Sequence, residues 1–202
     1  MRIIGGSSKG RKLHSVPGRS TRPSGGRLRE AVFAITAGAV PGARVLDLFA
    51  GTGAFGLEAL SRGASYAVFI DFDPRAVSTI KRNLRLMRAE KRGKCMQYDV
   101  ARDLNCIRGI LPPFDLAFLD PPYGEDLIRK GLQNLAECGC LADEALVIIE
   151  HGAKSPFPEA LPPAFVETDR RRYGKSLVTF LQHVLIGSFS GAGAGRQELN
   201  LP

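Results

Sequence analysis

Four acids in this 202-residue chain stand where an apolar run gives way to a turn: Asp47 in VLDLFAGTG, Asp71 in VFIDFD, Asp99 in MQYDV and Asp120 in FLDPPY. The last is the most constrained. Two prolines forbid a regular element from continuing past Asp120, so a carboxylate and the Tyr123 ring are held together in a stiff corner. That pairing suits methylation of an exocyclic amine. The lone pair of such an amine is delocalised into its ring, and attack on a methyl group makes the nitrogen tetrahedral and acidic. Two acceptors aimed at its hydrogens favour that geometry, and the Asp120 carboxylate with the Pro121 carbonyl can supply them. Pro121 and Pro122 preorganise the pair. Tyr123 offers a face on which a planar base can stack once out of its helix or loop.

The second chemical signal is the glycine-rich turn after Asp47. Gly51, Gly53 and Gly56 spell GxGxxG, and Asp71 follows Gly51 by twenty residues. This is the spacing of a dinucleotide fingerprint. Two details argue against a dinucleotide. Asp47 lies inside the strand end, where a pyrophosphate would be repelled, and the turn Phe49-Ala50-Gly51-Thr52-Gly53 is longer than the fingerprint requires. A ligand carrying an amine and a sulfonium would welcome the acid. S-adenosylmethionine is such a ligand. The glycines would let the backbone approach its methionine half, with Phe49 and Thr52 in the same turn. Asp47 would order the ammonium region, Asp71 would accept the ribose hydroxyls with Phe72 beside it, and Asp99 would accept from the adenine amine.

The elements needed to hold these residues are legible as an α/β pattern. Arg2–Ile4 and Arg11–Val16 read as a short hairpin around glycines. A helix is expected over Arg27–Ala37, with Leu28, Val32 and Ile35 on one face. Strands are expected at Arg44–Phe49, Tyr66–Ile70, Lys94–Tyr98, Phe114–Leu119 and Ala145–Glu150. Asp73 and Pro74 open a helix as N-cap and first residue, and Val77, Ile80, Leu84 and Met87 form its buried stripe. Ala164–Arg170 and Ser176–Val184 are close enough to pair antiparallel. Alternating strands and helices imply a mostly parallel sheet covered on both faces. Ligands bind such a sheet at the carboxyl ends of its strands, beside the point where strand order reverses.

The formal net charge is +8. Residues 1–29 hold eight Lys or Arg and no acid, and residues 75–94 hold eight more against Glu90. Clusters of this kind suit a polyanion. Lys9, Arg11 and Lys12, together with Arg171 and Arg172 before the last strand, are candidate phosphate contacts. No apolar run approaches the ~20 residues of a membrane span, and the first residues lack the apolar core of a signal peptide. Cys95, Cys106, Cys138 and Cys140 show no disulfide framework. Cys138-Gly-Cys140 is too tight for zinc, and His14, His151 and His183 have no ligand spacing. A reduced, cytoplasmic protein without metal or membrane is expected, acting as a monomer.

Taken together, "MRIIGG", "KGRKL", "TRPSGGRLREAVFAI", "VLDLFAGTGAFGLEALSRGA", "FLDPPY", "LADEALVIIE" and "RRYGKSLVTFL" resemble the RsmD family of class I methyltransferases, from Met1 to about Val184. Asp-Pro-Pro-Tyr alone speaks for amine methylation; the N-terminal motifs are the more specific. The resemblance implies a Rossmann-like fold with a seven-stranded, mostly parallel sheet, a reversed last strand and a small N-terminal hairpin and helix extension. It implies N2 methylation of a guanine in bacterial 16S ribosomal RNA, naked or within a small-subunit assembly particle. It also implies a cofactor carboxylate near Thr21-Arg22-Pro23, and Arg22 is carried over on that ground. Two positions depart from the family: Ser24-Gly25-Gly26 replaces a Thr-Ser-Asp, weakening the cap of the following helix, and Asp71 stands where Glu is common. The expected organisation is an extension at 1–38, a methyltransferase domain at 39–186 and a disordered Gly/Ala/Ser-rich tail at 187–202. Other readings remain: another nucleic-acid or amide N-methyltransferase, an NAD-dependent oxidoreductase, or a non-catalytic RNA-binding module.

Overall fold

The strand that carries Asp47, β1 (Arg44–Leu48), lies beside the central strand of a sheet ordered β3-β2-β1-β4-β5-β7-β6. The structure, a computed structural model, describes residues 1–17, 25–122, 126–155 and 157–185. Arg22, Tyr123 and the 187–202 tail lie outside the described residues. The other strands are β2 (Tyr66–Asp71), β3 (Gly93–Gln97), β4 (Phe114–Leu119), β5 (Leu141–Gly152), β6 (Phe165–Tyr173) and β7 (Ser176–His183). Strands β1 to β5 pair in parallel, and β7 runs antiparallel between β5 and β6. This is the mostly parallel sheet that the pattern predicts, with the Rossmann-like seven strands and reversed last strand that the resemblance implies. Strand order reverses between β1 and β4, the place where such sheets bind ligands.

Helices α1 (Gly25–Ile35), α2 (Ala54–Ser61), α3 (Pro74–Leu86) and α4 (Leu127–Cys138) cover the sheet. Asp73 caps α3 as expected, accepting from the Arg75 N–H at 2.8 Å, with Pro74 in the first turn. Val77, Ile80, Leu84 and Met87 are all buried under it. On one side of the sheet Phe55 and Phe33 lie against Phe118, with ring centroids at 4.9 and 5.6 Å. Leu132, Leu135 and Ile107 belong to a second core cluster with Leu48, Ile70 and Ile149. No helix among the described residues is long and apolar enough to cross a membrane.

Three local expectations need correction. The N-terminal hairpin is reduced to one bridge, Arg2 to Lys12, around a 3-10 turn at Gly6–Ser8. The N–H groups of Ile4 and Gly5 are taken instead by the Glu58 carboxylate of α2, at 2.8 and 2.7 Å. The inner face of α1 uses Leu28, Val32 and Phe33, while Ile35 is exposed. Strand β5 starts at Leu141 rather than Ala145, because a shift in register opposite Phe114 and Leu116 accommodates the extra residues. The N-terminal segment packs into the main core: Ile3, Leu13, Leu28 and Phe33 share one cluster with Val45, Leu57 and Phe69.

Candidate active site

The sequence-predicted acids converge on one edge of the sheet. The last registered pairs are Leu48 with Ile70, Leu48 with Leu119, and Asp71 with Gln97. Asp71, Phe49 and Asp120 therefore follow one another across β2, β1 and β4. Adjacent strands are roughly 4.8 Å apart, which separates the backbones of Asp71 and Asp120 by roughly 10 Å across the switch point.

Two of the acids hold up the glycine turn itself. Asp47, 1 % exposed, accepts from the Gly56 N–H at 2.9 Å in the first turn of α2. Burial pushes its carboxyl up to about 8; the Gly56 N–H works against this and the nearby Asp71 charge adds to it. Asp71, 2 % exposed, accepts from the Gly51 N–H at 2.8 Å and the Asp73 N–H at 2.9 Å. Asp73 is the cap of α3, and Asp71 also has two main-chain donors, one oxygen to each. Fixing both oxygens aims the remaining lone pairs of the carboxylate.

The three glycines are not equivalent. A Cβ added to Gly56 would lie 2.4 Å from Phe69, and one added to Gly53 would crowd Ile80, Leu57 and Phe69 at 3.2 Å. Packing against Phe69 accounts for Gly56, and packing together with a left-handed φ of +77° accounts for Gly53. At Gly51 an added Cβ would meet nothing nearer than the Phe49 carbonyl at 3.9 Å. Its φ of +54° favours glycine, and the space in front of it is open. Close approach of a ligand to the backbone is therefore a role for Gly51, whereas the sequence assigns it to all the glycines. Phe49, at φ +57°, is a non-glycine residue in the left-handed region at the same turn, where strain clusters at functional sites.

The remaining candidates surround this turn. Phe72, next to Asp71, is a large apolar side chain left 56 % exposed. Asp99 is exposed just beyond β3 and accepts from the Ala101 N–H at 2.9 Å. Asp120 is exposed, Pro121 buried and Pro122 exposed at the end of β4. Among the described residues no cluster of His, Cys, Asp or Glu could hold a metal ion. His151 and His183 are occupied structurally, contacting Thr179 Oγ1 at 3.0 Å and the Ala142 carbonyl at 2.8 Å.

Two residues absent from the sequence reading organise the surroundings. Asn83, fully buried in α3, donates from Nδ2 to the Thr52 carbonyl at 3.1 Å and to the His14 carbonyl at 3.2 Å. Its Oδ1 accepts from the His14 N–H at 2.7 Å. Glu58 ion-pairs with Arg62 at 2.8 Å and Arg29 at 3.6 Å while holding Ile4 and Gly5. Burial lowers the Arg29 pKa, and the Glu58 charge opposes that shift. The signal for both was available: a lone acid in the apolar AFGLEALS, and an amide on the buried stripe of α3.

The basic candidates fall into two groups. Lys9, Arg11 and Lys12 are exposed on the N-terminal arm, with the Arg11 guanidinium donating to the Leu86 carbonyl. On β6, Arg171 ion-pairs with Asp169 at 2.6 Å, and Arg172 Nε donates to the Gly174 carbonyl at 3.1 Å.

Comparison with known proteins gives this geometry a context. The family described as conserved hypothetical protein 95 matches residues 1–182. The Bacillus subtilis protein YlbH is 37% identical over 174 residues, covering 86% of this chain and 94% of its own. Ribosomal RNA small subunit methyltransferase D of Escherichia coli is 35% identical over 158 residues, 78% of each chain. The solved structure of the Escherichia coli protein yhhF superposes with a TM-score of 0.79 at 33% identity, covering 91% of this chain and 98% of that one.

Proposed function

Because the chain belongs to the conserved hypothetical protein 95 family, the RsmD family of the resemblance above, we propose that it methylates the N2 amine of a guanine in small-subunit ribosomal RNA. The observation that carries this reading is the row Asp71, Phe49 and Asp120 across the switch point, with open space in front of Gly51.

The donor set fits S-adenosylmethionine. Asp71, its oxygens fixed by two main-chain N–H groups, would accept from the ribose hydroxyls; the exposed Phe72 ring would flank the adenine, and Asp99 would accept from its amine. Gly51 and Thr52 would line the methionine half, with Asp47 behind the turn; the resemblance adds Arg22, outside the described residues, as a partner for the carboxylate. When bound, the cofactor supplies a methyl group on a good sulfonium leaving group. The protein then needs no strong base, and positioning dominates. The Asp120 carboxylate and the Pro121 carbonyl accept the two amine hydrogens of the target guanine, holding its lone pair toward the donor side. Tyr123 stacks on the extruded base. Asp120 is exposed, so the proton lost from the tetrahedral, positively charged nitrogen can pass from its carboxylate to solvent. The same arrangement keeps Asp120 and Asp71 on opposite sides of β1.

Incubation with methyl-labelled S-adenosylmethionine and either naked 16S RNA or assembled small subunits tests this. Digestion and mass spectrometry should find N2-methylguanosine in at least one substrate. Label on another base, or on protein, would remove the guanine assignment. Parallel calorimetry should detect S-adenosylhomocysteine binding and no NAD binding.

A further inference from the structure

The basic residues of the N-terminal arm, from Lys9 to Lys12, and those of α3, from Lys81 to Arg88, meet in the fold. The outer face of α3 presents Lys81, Arg82 and Arg85, all exposed, with Arg88 exposed just past its end. At 100° per residue Lys81, Arg82 and Arg85 fall within one stripe, opposite the buried Ala76, Ile80 and Asn83. Among the described residues none of the four forms an ion pair. Like charges at i,i+3 and i,i+4 destabilise an isolated helix. Arg85 in the last turn complements the helix dipole, but the other three bring folding no comparable return.

The N-terminal arm is welded to this stripe. Its main chain at His14 is gripped by Asn83, Arg82 Nη2 lies 3.4 Å from His14 Nδ1, and Arg11 reaches the Leu86 carbonyl at the end of α3. Lys9 and Lys12 on the arm are exposed and form no ion pair among the described residues. The contrast with β6 is instructive. There Arg170 and Arg171 are each neutralised by an acid of their own strand, Glu167 and Asp169, at 2.6 Å. Two of the three arginines of β6 are compensated, whereas among the described residues Lys81, Arg82 and Arg85 of α3 and Lys9 and Lys12 of the arm are not.

We infer that α3 and the N-terminal arm form one phosphate-binding surface for the RNA substrate, with Lys81, Arg82, Arg85 and Arg88 as its rigid part; the inference rests on the proposed rRNA substrate. A membrane surface fits less well. The exposed large apolar side chains, Ile35, Phe72, Leu111, Val166 and Leu185, all lie off α3, so the face lacks the apolar partners an interfacial helix needs. A run of cations without acids or apolar neighbours matches the regular charge of a nucleic-acid backbone. The surface is also mechanically tied to the candidate site, because the Asn83 side chain that holds His14 also holds the Thr52 carbonyl of the glycine turn.

The test replaces Lys81, Arg82, Arg85 and Arg88 together with Gln, which keeps helix propensity and removes charge. A second variant replaces the exposed Arg108, Arg129, Lys130 and Lys154 with Gln, so that both carry the same net charge. RNA affinity is measured by filter binding across a salt series, alongside methylation kinetics and cofactor calorimetry. The α3 variant should lose about tenfold or more in RNA affinity. Its slope of log affinity against log salt should flatten by about 2 to 3, at about 0.7 per single-strand phosphate contact. KM for RNA should rise in step, with kcat and cofactor affinity nearly unchanged. The charge-matched variant should keep the wild-type slope. Equal losses in both variants, an unchanged slope in the α3 variant, or preferential binding of the wild type to anionic vesicles or an acidic protein would overturn the inference. If the wild type binds RNA through this face but methylates none, the surface stands and the proposed reaction fails.

Discussion

The acids on the two sides of the switch point differ in how the fold uses them. On the β1 and β2 side, Asp47 and Asp71 are buried, and each accepts main-chain N–H groups from the turn it supports. On the β4 side, Asp120 is exposed at a corner that prolines stiffen. The first pair is part of the scaffold as well as of the site. Removing one should disturb stability and ligand affinity together. Asp120 sits in a corner whose backbone Pro121 and Pro122 stiffen, so its removal should cost turnover more than stability or cofactor affinity.

The largest effect is expected at the exposed acid. Asp120→Ala should lower single-turnover methylation by roughly 100-fold, the scale of losing one preorganised transition-state partner. Melting temperature and cofactor affinity should stay near wild type. Near-normal turnover would break the contrast at its catalytic end.

Asp71→Ala should do the opposite. Hydrogen bonds to a charged acceptor are worth roughly 1.5–3 kcal/mol, so cofactor affinity should fall about tenfold or more. Stability should fall as well, by roughly 1–3 kcal/mol, because the N–H groups of Gly51 and Asp73 lose their acceptor. Calorimetry with urea unfolding reads both. Lost affinity at unchanged stability would make Asp71 a ligand contact without a scaffold role.

The most gradual effect belongs to Asp47. Its folded-state pKa, about 8, lies above the usual 3.8, so the folded protein holds this proton more tightly than the unfolded chain. Stability from this group is complete below about pH 4 and is lost as pH rises toward and through about 8. Asp47→Asn removes the titration. Unfolding midpoints of the wild type should decline relative to the variant across that window. Parallel pH profiles would show that Asp47 is ionised in the folded protein.

Much of this site is legible in the chain. Strand ends announce themselves where apolar runs meet Gly, Pro and Asp, and the strand and helix periods set which residues are buried. Asp47, Asp71 and Asp120 could therefore be placed at one edge of a parallel sheet before any coordinates. The cap at Asp73 and the buried stripe of α3 are equally local. Packing decided the rest. Ile35 has the spacing of an inward residue, yet Phe33 took the inner face of α1 beside Phe118. GxGxxG reads as three ligand-facing glycines, but the Phe69 ring behind the turn explains Gly56, and packing with a left-handed φ explains Gly53. Nothing in the chain joins Glu58 to Gly5 or Asn83 to His14, contacts that span 53 and 69 residues. Periodicity reports which face of an element turns inward, because that depends on neighbours a few residues away. What meets that face depends on crossovers that bring distant segments together, and these assigned the acid of α2 to the N-terminal arm and joined two basic clusters into one surface.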